Sequence, residues 1–519
     1  MIWGAEMSRA TSLRHGFAIV GAVAAMISVT ANAQDSLDDF DPPKPGAVAD
    51  VQEAAPSTPS AVASKRGNGK ARAEVNGYAS ERFAYQHINT RAPVSTVDVP
   101  SLTELAELNI QLKVELGSKA IFAYADLSYV YQAGWLFYAA NGDGGRASVP
   151  NHDVSSLRPF VVPSELYLSL SPRPWMNVLV GKKRITWGAG FAFNPTDLVN
   201  PPKDPTDPNF QRAGNWVARV EFPFERFTLS TLFAPQALYT QGGLPYAFIR
   251  YPDYAPANGQ DTRDGHSHYL LAGRLYGLLA NADVNLIYYF SNYYQDAFAN
   301  KSRLGLSFSR YFFTDYEIHI EALLTTGSSR TFPVHGCADA PEACGSAPML
   351  TSKSEDGTFY PRLLLGTRRQ FADESLFSLE YYFQGDGYSD QAFSDAVKLL
   401  AFAKNTAVGG AADASSALPQ RYTFDPMRRH YLIASYSKPR IFDDWTAAMV
   451  LIAGLRDLSG VVSPSITWSA REWLTLGAYA YLPIHGFGVG EAQVQGRGFS
   501  EYGLSSYTFR VLFEARGYY

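Results

Sequence analysis

The sequence predicts an all-β protein, a transmembrane antiparallel up-and-down β-barrel of about 18 strands, with about 16 as the alternative count. Three observations predict it. Apolar and polar residues alternate through segment after segment of about ten residues. The connections between segments are short and long in turn. Beyond the N-terminal region, no run approaches the roughly twenty apolar residues that a spanning helix needs.

Side chains of a strand point alternately to two faces. Leu108, Ile110, Leu112, Val114 and Leu116 oppose Asn109, Gln111, Lys113 and Glu115. Ile318, Ile320 and Ala322 oppose Glu317, His319 and Glu321, and Phe377, Leu379, Tyr381 and Phe383 oppose Ser378, Glu380, Tyr382 and Gln384. In the last segment Tyr507, Phe509, Val511, Phe513, Ala515, Gly517 and Tyr519 face away from Thr508, Arg510, Glu514 and Arg516, with Leu512 and Tyr518 as inward exceptions. An apolar face needs lipid or a core, and a face carrying Arg and Glu needs water. Alternation alone is also compatible with a soluble sandwich.

The connections separate the two. Short turns recur near 117–118, 171–174, 223–226, 279–281, 312–315, 371–374, 439–444 and 470–472. Between them lie long pieces at 134–162, 188–211, 235–267, 327–358, 385–429 and 483–505, and two brief ones at 296–300 and 455–459. Outer-membrane barrels set tight turns on the periplasmic side and extended loops outside, whereas a sandwich has no reason to sort loops by parity. A sheet facing lipid cannot leave edge amides and carbonyls unpaired, so the first strand, near 72–86, is expected to pair with the last. An even count leaves both ends of the barrel in the periplasm.

The N-terminus reads as a secretory signal over 1–33. Arg9, Arg14 and His15 precede an apolar run at 17–29, and Ala31-Asn32-Ala33 before Gln34 has the small-x-small form of a cleavage site. Translation from Met7 is an alternative start. The run is short for a membrane anchor, and no lipobox cysteine follows. Residues 34–70 are rich in Pro, Ala and Ser and read as a disordered periplasmic linker, with a short plug entering the lumen as the alternative. The segment is too short for the folded plug of TonB-dependent transporters. Residues 71–519 are the barrel.

Composition agrees: 46% of residues are hydrophobic and 14% aromatic, as expected when only alternate residues face lipid and aromatic girdles mark its two interfaces. Tyr288, Tyr289, Tyr293, Tyr294, Tyr381 and Tyr382 fall near strand ends and are candidates for those girdles. The two cysteines, Cys337 and Cys344, share one long loop and are expected to form a disulfide in an oxidising compartment. With His335 they fall short of the four ligands of a closed zinc site, and no metal is expected.

The sharpest local motif runs Lys182-Lys183-Arg184-Ile185-Thr186-Trp187-Gly188-Ala189-Gly190, then Asn194-Pro195-Thr196-Asp197 and Asn200-Pro201-Pro202-Lys203-Asp204-Pro205-Thr206-Asp207-Pro208. Each proline fixes φ, and Asn and Asp bond to nearby backbone, so this is a stiff loop of successive turns. Folded into the mouth, it would set Lys182, Lys183 and Arg184 with Trp187 across from Asp197, Asp204 and Asp207 at the narrowest point. An ordinary extracellular loop and calcium held by the three aspartates are the other readings. The motif resembles a basic-strand, Trp-Gly, Asn-Pro-Thr-Asp pattern of porin-like outer-membrane barrel families, which implies the barrel but no substrate. The aromatic end at Tyr519 similarly resembles the terminal signature strand of outer-membrane proteins, which implies recognition by the barrel-assembly machinery.

The expected lumen carries Lys113, Arg219, Arg274, Arg303, Arg362, Arg368, Arg510 and Arg516 with Glu115, Asp126, Glu221, Glu317, Glu321, Glu380 and Glu514. Eight bases against seven acids assign no ion preference. His319 between Glu317 and Glu321 has the composition of a base or ligand set, but no nucleophile is placed beside it. Phe393, Val397, Leu400 and Lys404 have helical spacing and suggest a loop helix that caps or enters the lumen.

The expectation is an outer-membrane channel for passive diffusion or selective uptake of small solutes, without enzymatic activity or cofactor, surrounded by lipid and not binding nucleic acid. A closed barrel with a structural or surface-binding role and an outer-membrane hydrolase are the rivals from other classes.

Overall fold

The computed structural model describes residues 72–93, 101–116, 121–137, 150–153, 160–200, 214–235, 269–291, 301–344, 349–353, 357–405, 426–488, 490–494 and 496–519. The signal and linker readings at 1–70 lie outside them. In chain order the first strands are β1 (Arg72–Ile88), β2 (Leu102–Leu116), β3 (Ile121–Phe137), β4 (Pro150–Asp153), β5 (Phe160–Arg173) and β6 (Met176–Lys183). Next come β7 (Asn215–Pro223), β8 (Phe227–Pro235), β9 (Tyr269–Leu279), β10 (Ala282–Ser291), β11 (Lys301–Phe312) and β12 (Tyr316–Thr326). A loop ribbon, β13 (Ser328–Pro333) and β14 (Leu350–Lys353), brackets the short helices α1 (His335–Asp339) and α2 (Pro341–Cys344). The wall resumes with β15 (Phe359–Gln370) and β16 (Leu376–Gln384). Helix α3 (Asp390–Asn405) precedes β17 (His430–Ile441), β18 (Trp445–Gly454), β19 (Gly460–Arg471) and β20 (Leu474–Ile484). A second small ribbon, β21 (Ala492–Val494) and β22 (Arg497–Phe499), leads into β23 (Tyr507–Tyr518).

One nineteen-stranded sheet contains all but the two ribbons. Because β4 pairs only with the end of β3, eighteen strands make the wall. Each wall strand lies antiparallel to the next, and β1 closes the ring on β23 with Phe83 opposite Phe513 and Arg82 opposite Glu514. Closure leaves no edge of unpaired amides.

Alternation sorts the faces. On β11, Leu304 and Leu306 are 52% and 46% exposed while Arg303 and Ser307 on either side and Gly305 between them are buried. Val75, Val180, Leu286 and Phe513 are likewise exposed on the outer side. So broad an aliphatic surface on an edgeless sheet is stable only in lipid. Among the described residues no helix is long and apolar enough to cross a membrane.

Short turns gather at one rim. Ala280-Asn281, Phe313-Thr314 and Phe442-Asp443 each hold two successive residues at positive φ, the conformation that matches the right-handed twist of hairpin strands. Phe313 and Phe442 project there at 91% and 88% exposure, with Trp175, Phe224 and Trp473 on neighbouring turns. The girdle thus uses turn tips more than the tyrosine pairs expected from sequence. Tyr288 faces out, but Tyr289 and Tyr382 point inward and are buried, because adjacent residues of a strand cannot share a face. Tyr293 and Tyr294 lie outside the described residues.

Toward the opposite rim, apolar clusters fill part of the interior. Helix α3 starts at Ser389, whose hydroxyl accepts the Ala392 N–H at 3.2 Å. It presents Phe393, Val397 and Leu400, all fully buried, to Tyr382, Tyr431 and Phe193. The disulfide joins Cys337 of α1 to Cys344 of α2, with Cα atoms 5.6 Å apart.

Candidate functional site

The connection from β6 to β7 folds into the barrel. Its two sides are tied by Asn200, whose Oδ1 accepts the Ile185 N–H at 2.9 Å and whose Nδ2 donates to Ile185 O at 2.6 Å, a side-chain imitation of strand pairing. The second Nδ2 hydrogen reaches Asp197 Oδ1 at 3.1 Å. A turn follows Pro195, with the Asp197 N–H donating to Asn194 O at 3.1 Å. Trp187 is buried against Tyr289, ring centroids 5.8 Å apart, and the Arg274 guanidinium lies 5.7 Å from its ring.

Two wall carboxylates hold this loop. Glu321 of β12 accepts the N–H groups of Ala189 and Gly190 on Oε1, at 2.5 and 2.7 Å, and that of Thr196 on Oε2 at 3.1 Å. The Thr196 hydroxyl lies 2.7 Å from the same Oε2 and 2.7 Å from Trp187 O. Glu380 of β16 accepts the Phe191 N–H on Oε1 and the Ala192 N–H on Oε2. Both carboxylates are almost wholly buried. A buried charge is tolerated only when ringed by donors, and four consecutive loop amides, Ala189 to Ala192, supply that ring. The approach is close: a Cβ on Gly188 would lie 2.8 Å from Glu321 Oε1, and one on Gly190 would lie 2.5 Å from Leu364.

Behind Glu380 stands His319, whose Nε2 donates to Oε1 at 3.0 Å. Its Nδ1 faces Glu317 at 3.6 Å, and Glu317 faces Arg368 at 3.6 Å. His319 is fully enclosed, and neither ring nitrogen meets a hydroxyl or thiol. The hydrolase reading has no nucleophile at this place; the imidazole props a loop anchor.

The basic cluster departs from expectation. Lys183 Nζ donates to Tyr167 OH at 3.2 Å, and the Arg184 N–H is bound by Glu165 at 2.8 Å. Lys182 pairs in register with Leu166 and Trp216 and is itself buried, at 3% exposure. Asp197 is turned into the loop toward Asn200, and Trp187 packs on the wall. Asp204 and Asp207 lie outside the described residues.

The charged residues expected in the lumen take the following partners. Glu514 takes Arg82 at 2.8 Å and Arg516 at 2.7 Å, Lys113 takes Glu115 at 3.2 Å, and Arg219 takes Glu221 at 3.2 Å. Arg274 and Arg303 pair in register with buried Ile287 and Tyr289, and Arg510 with Tyr481. Arg362 meets Asp386, just past β16, at 3.0 Å. Burial pushes the Asp386 carboxyl up, but Arg362 and Arg330 prevail and hold it well below the usual carboxylate range.

No protein-family model and no curated protein matches the sequence. Among solved structures, Pseudomonas aeruginosa OpdQ aligns at 9% identity and a TM-score of 0.46, covering 86% of this chain and 98% of that one. Pseudomonas aeruginosa OccK7 (OpdD) aligns at 11% identity and a TM-score of 0.44, covering 87% and 98%. Acinetobacter baumannii OccAB3 aligns at 9% identity and a TM-score of 0.43, covering 86% and 99%.

Proposed function

We propose that the chain is a passive outer-membrane channel for small hydrophilic solutes, narrowed by the 184–200 loop. The observation that carries this reading is the fastening of that loop, inside the barrel, to Glu321 and Glu380. Barrels of roughly 16–18 strands are wide enough to hold an aqueous passage, and a loop bonded across the interior narrows such a passage without closing it. The paired charges of the inner wall support a water-facing surface with no dominant sign. Short turns would face the periplasm and long loops the outside, with the signal removed near Ala33 and assembly directed by the strand that ends at Tyr519. In this reading the chain is not an enzyme, and any selectivity comes from the loop and the charges beside it.

The apolar packing around α3 favours a second reading, a barrel shut at its mouth with a structural or surface-binding role. Liposome swelling separates the two. Proteoliposomes should swell in small sugars, amino acids or organic acids at rates that fall with solute size. Vesicles that stay as tight as protein-free ones would support the shut barrel.

A further inference from the structure

At the loop end, α1 and α3 bring together His335, Asp339 and Asp395, with ligand atoms all within 4.8 Å of one another. Asp395 is 2% exposed and fixed by Gln391, whose Nε2 donates to its Oδ1 at 2.9 Å. Its Oδ2 lies 2.9 Å from His335 Nδ1. A carboxylate oxygen at that distance requires a hydrogen on Nδ1, so in the neutral ring the lone pair is on Nε2. That nitrogen faces Asp339 Oδ2, one helical turn on, at 3.4 Å. Gln391 Nε2 lies 3.1 Å from the same Nδ1. With the hydrogen on Nδ1, two electron-pair donors face each other at Nε2 and Asp339, an arrangement relieved by a second ring proton or by a metal ion between them. Two ligand atoms at about 2.0–2.1 Å from a tetrahedral ion lie roughly 3.4 Å apart, which is the spacing found.

We infer that His335 Nε2 and Asp339 Oδ2 form a surface site for one divalent transition-metal ion of the zinc class, with Asp395 as the residue that orients the imidazole. The carboxylate–imidazole–metal arrangement fixes the tautomer and raises the basicity of the ligand nitrogen. Imidazole with carboxylate suits zinc, copper or nickel more than calcium. Both ligands are about half exposed, so water completes the coordination and the ion arrives directly from solvent. The disulfide between Cys337 and Cys344 holds the turn that carries them. Lys398 Nζ, 2.6 Å from Asp339 Oδ1, keeps that carboxylate ionised and repels an arriving cation. Because Asp395 belongs to the other loop, bound metal would tie α1 to α3 through His335.

The test is calorimetric titration of zinc chloride into the full chain in detergent, stripped with chelator and freed of any affinity tag. One saturable site is expected. His335→Ala, at an exposed position, should abolish it, and Asp395→Asn should weaken it about tenfold or more. Lys398→Met should tighten it, which mere packing of α1 on α3 would not produce. Absence of saturable binding, or binding that survives His335→Ala, overturns the proposal. So does weaker binding in Lys398→Met with the melting temperature unchanged.

Discussion

His319 and Glu380 are bonded to each other across an intervening strand. The register sets His319 of β12, Gly366 of β15 and Glu380 of β16 in one row, and Nε2 to Oε1 is 3.0 Å. They meet because the middle residue has no side chain: a Cβ on Gly366 would lie 2.0 Å from His319 Nε2. The anchor of the inner loop therefore depends on a glycine that touches neither the loop nor its carboxylate partners' backbone donors.

Gly366→Ala should drive the imidazole off Glu380. Overpacking of this kind costs about 1–3 kcal/mol, read by urea unfolding of the detergent-solubilised barrel, and Ser at this position should do no better. Wild-type stability in Gly366→Ala would mean that the row is not packed as described.

Glu321→Gln places an amide NH2 group against donors from either Ala189 and Gly190 or Thr196, since both carboxylate oxygens are acceptors here. The loss of charge-assisted bonds should lower stability by about 3 kcal/mol. It should also free the loop, so that protease cleaves within 188–196 while the wall stays intact. A loop as protected as in the wild type would contradict the anchoring role.

Stability should fall as pH rises through neutrality. Fully buried Glu501, in the 485–506 connection, accepts the Met427 N–H at 2.6 Å and the Tyr431 hydroxyl at 2.8 Å, while its own N–H donates to Asp457. Burial first, with Asp457 adding to it against Arg428 and the Met427 and Tyr431 hydrogen bonds, pushes its pKa up from 4.5 to about 7. The folded state thus holds the proton more tightly. This contribution is complete below the unfolded value and is lost as pH rises through about 7, at about 3 kcal/mol in all. Thermal melting between pH 5 and 9 should show the decline (roughly that span brackets the transition), and Glu501→Gln should flatten it. A wild-type profile rising over that interval would refute the assignment.

Cys337→Ser combined with Cys344→Ser should loosen the 327–358 loop and leave the barrel unchanged. Closing so short a loop contributes at most about 2–3 kcal/mol, and only locally. Faster proteolysis within that loop, with unaltered melting of the wall, is the expected result. A global drop in melting temperature would show that the loop supports the wall.

The wall was legible in the sequence because two media impose the same two-residue period on every strand. That period sets Glu317, His319, Glu321 and Glu380 on one polar face, and all four are buried. Their partnership with the loop was not legible. Nothing local in β12 or β16 marks which inward carboxylate meets Gly188 to Ala192, since the contact spans more than a hundred residues of sequence. Two small residues bracketing Ala189, opposite inward acids on β12 and β16, were the available signal. The basic run was no guide to contacts for the converse reason: charge order along a chain does not say that Lys183 meets Tyr167 or that the Arg184 N–H meets Glu165.

The most direct test is single-channel recording of the purified chain in planar bilayers, comparing the wild type with the Glu321→Gln, Glu380→Gln double variant. An aqueous barrel narrowed by an anchored loop predicts discrete, uniform conductance steps in the wild type and larger, noisier steps when both anchors are neutralised. Folded, inserted protein that gives no steps in either form would contradict the account.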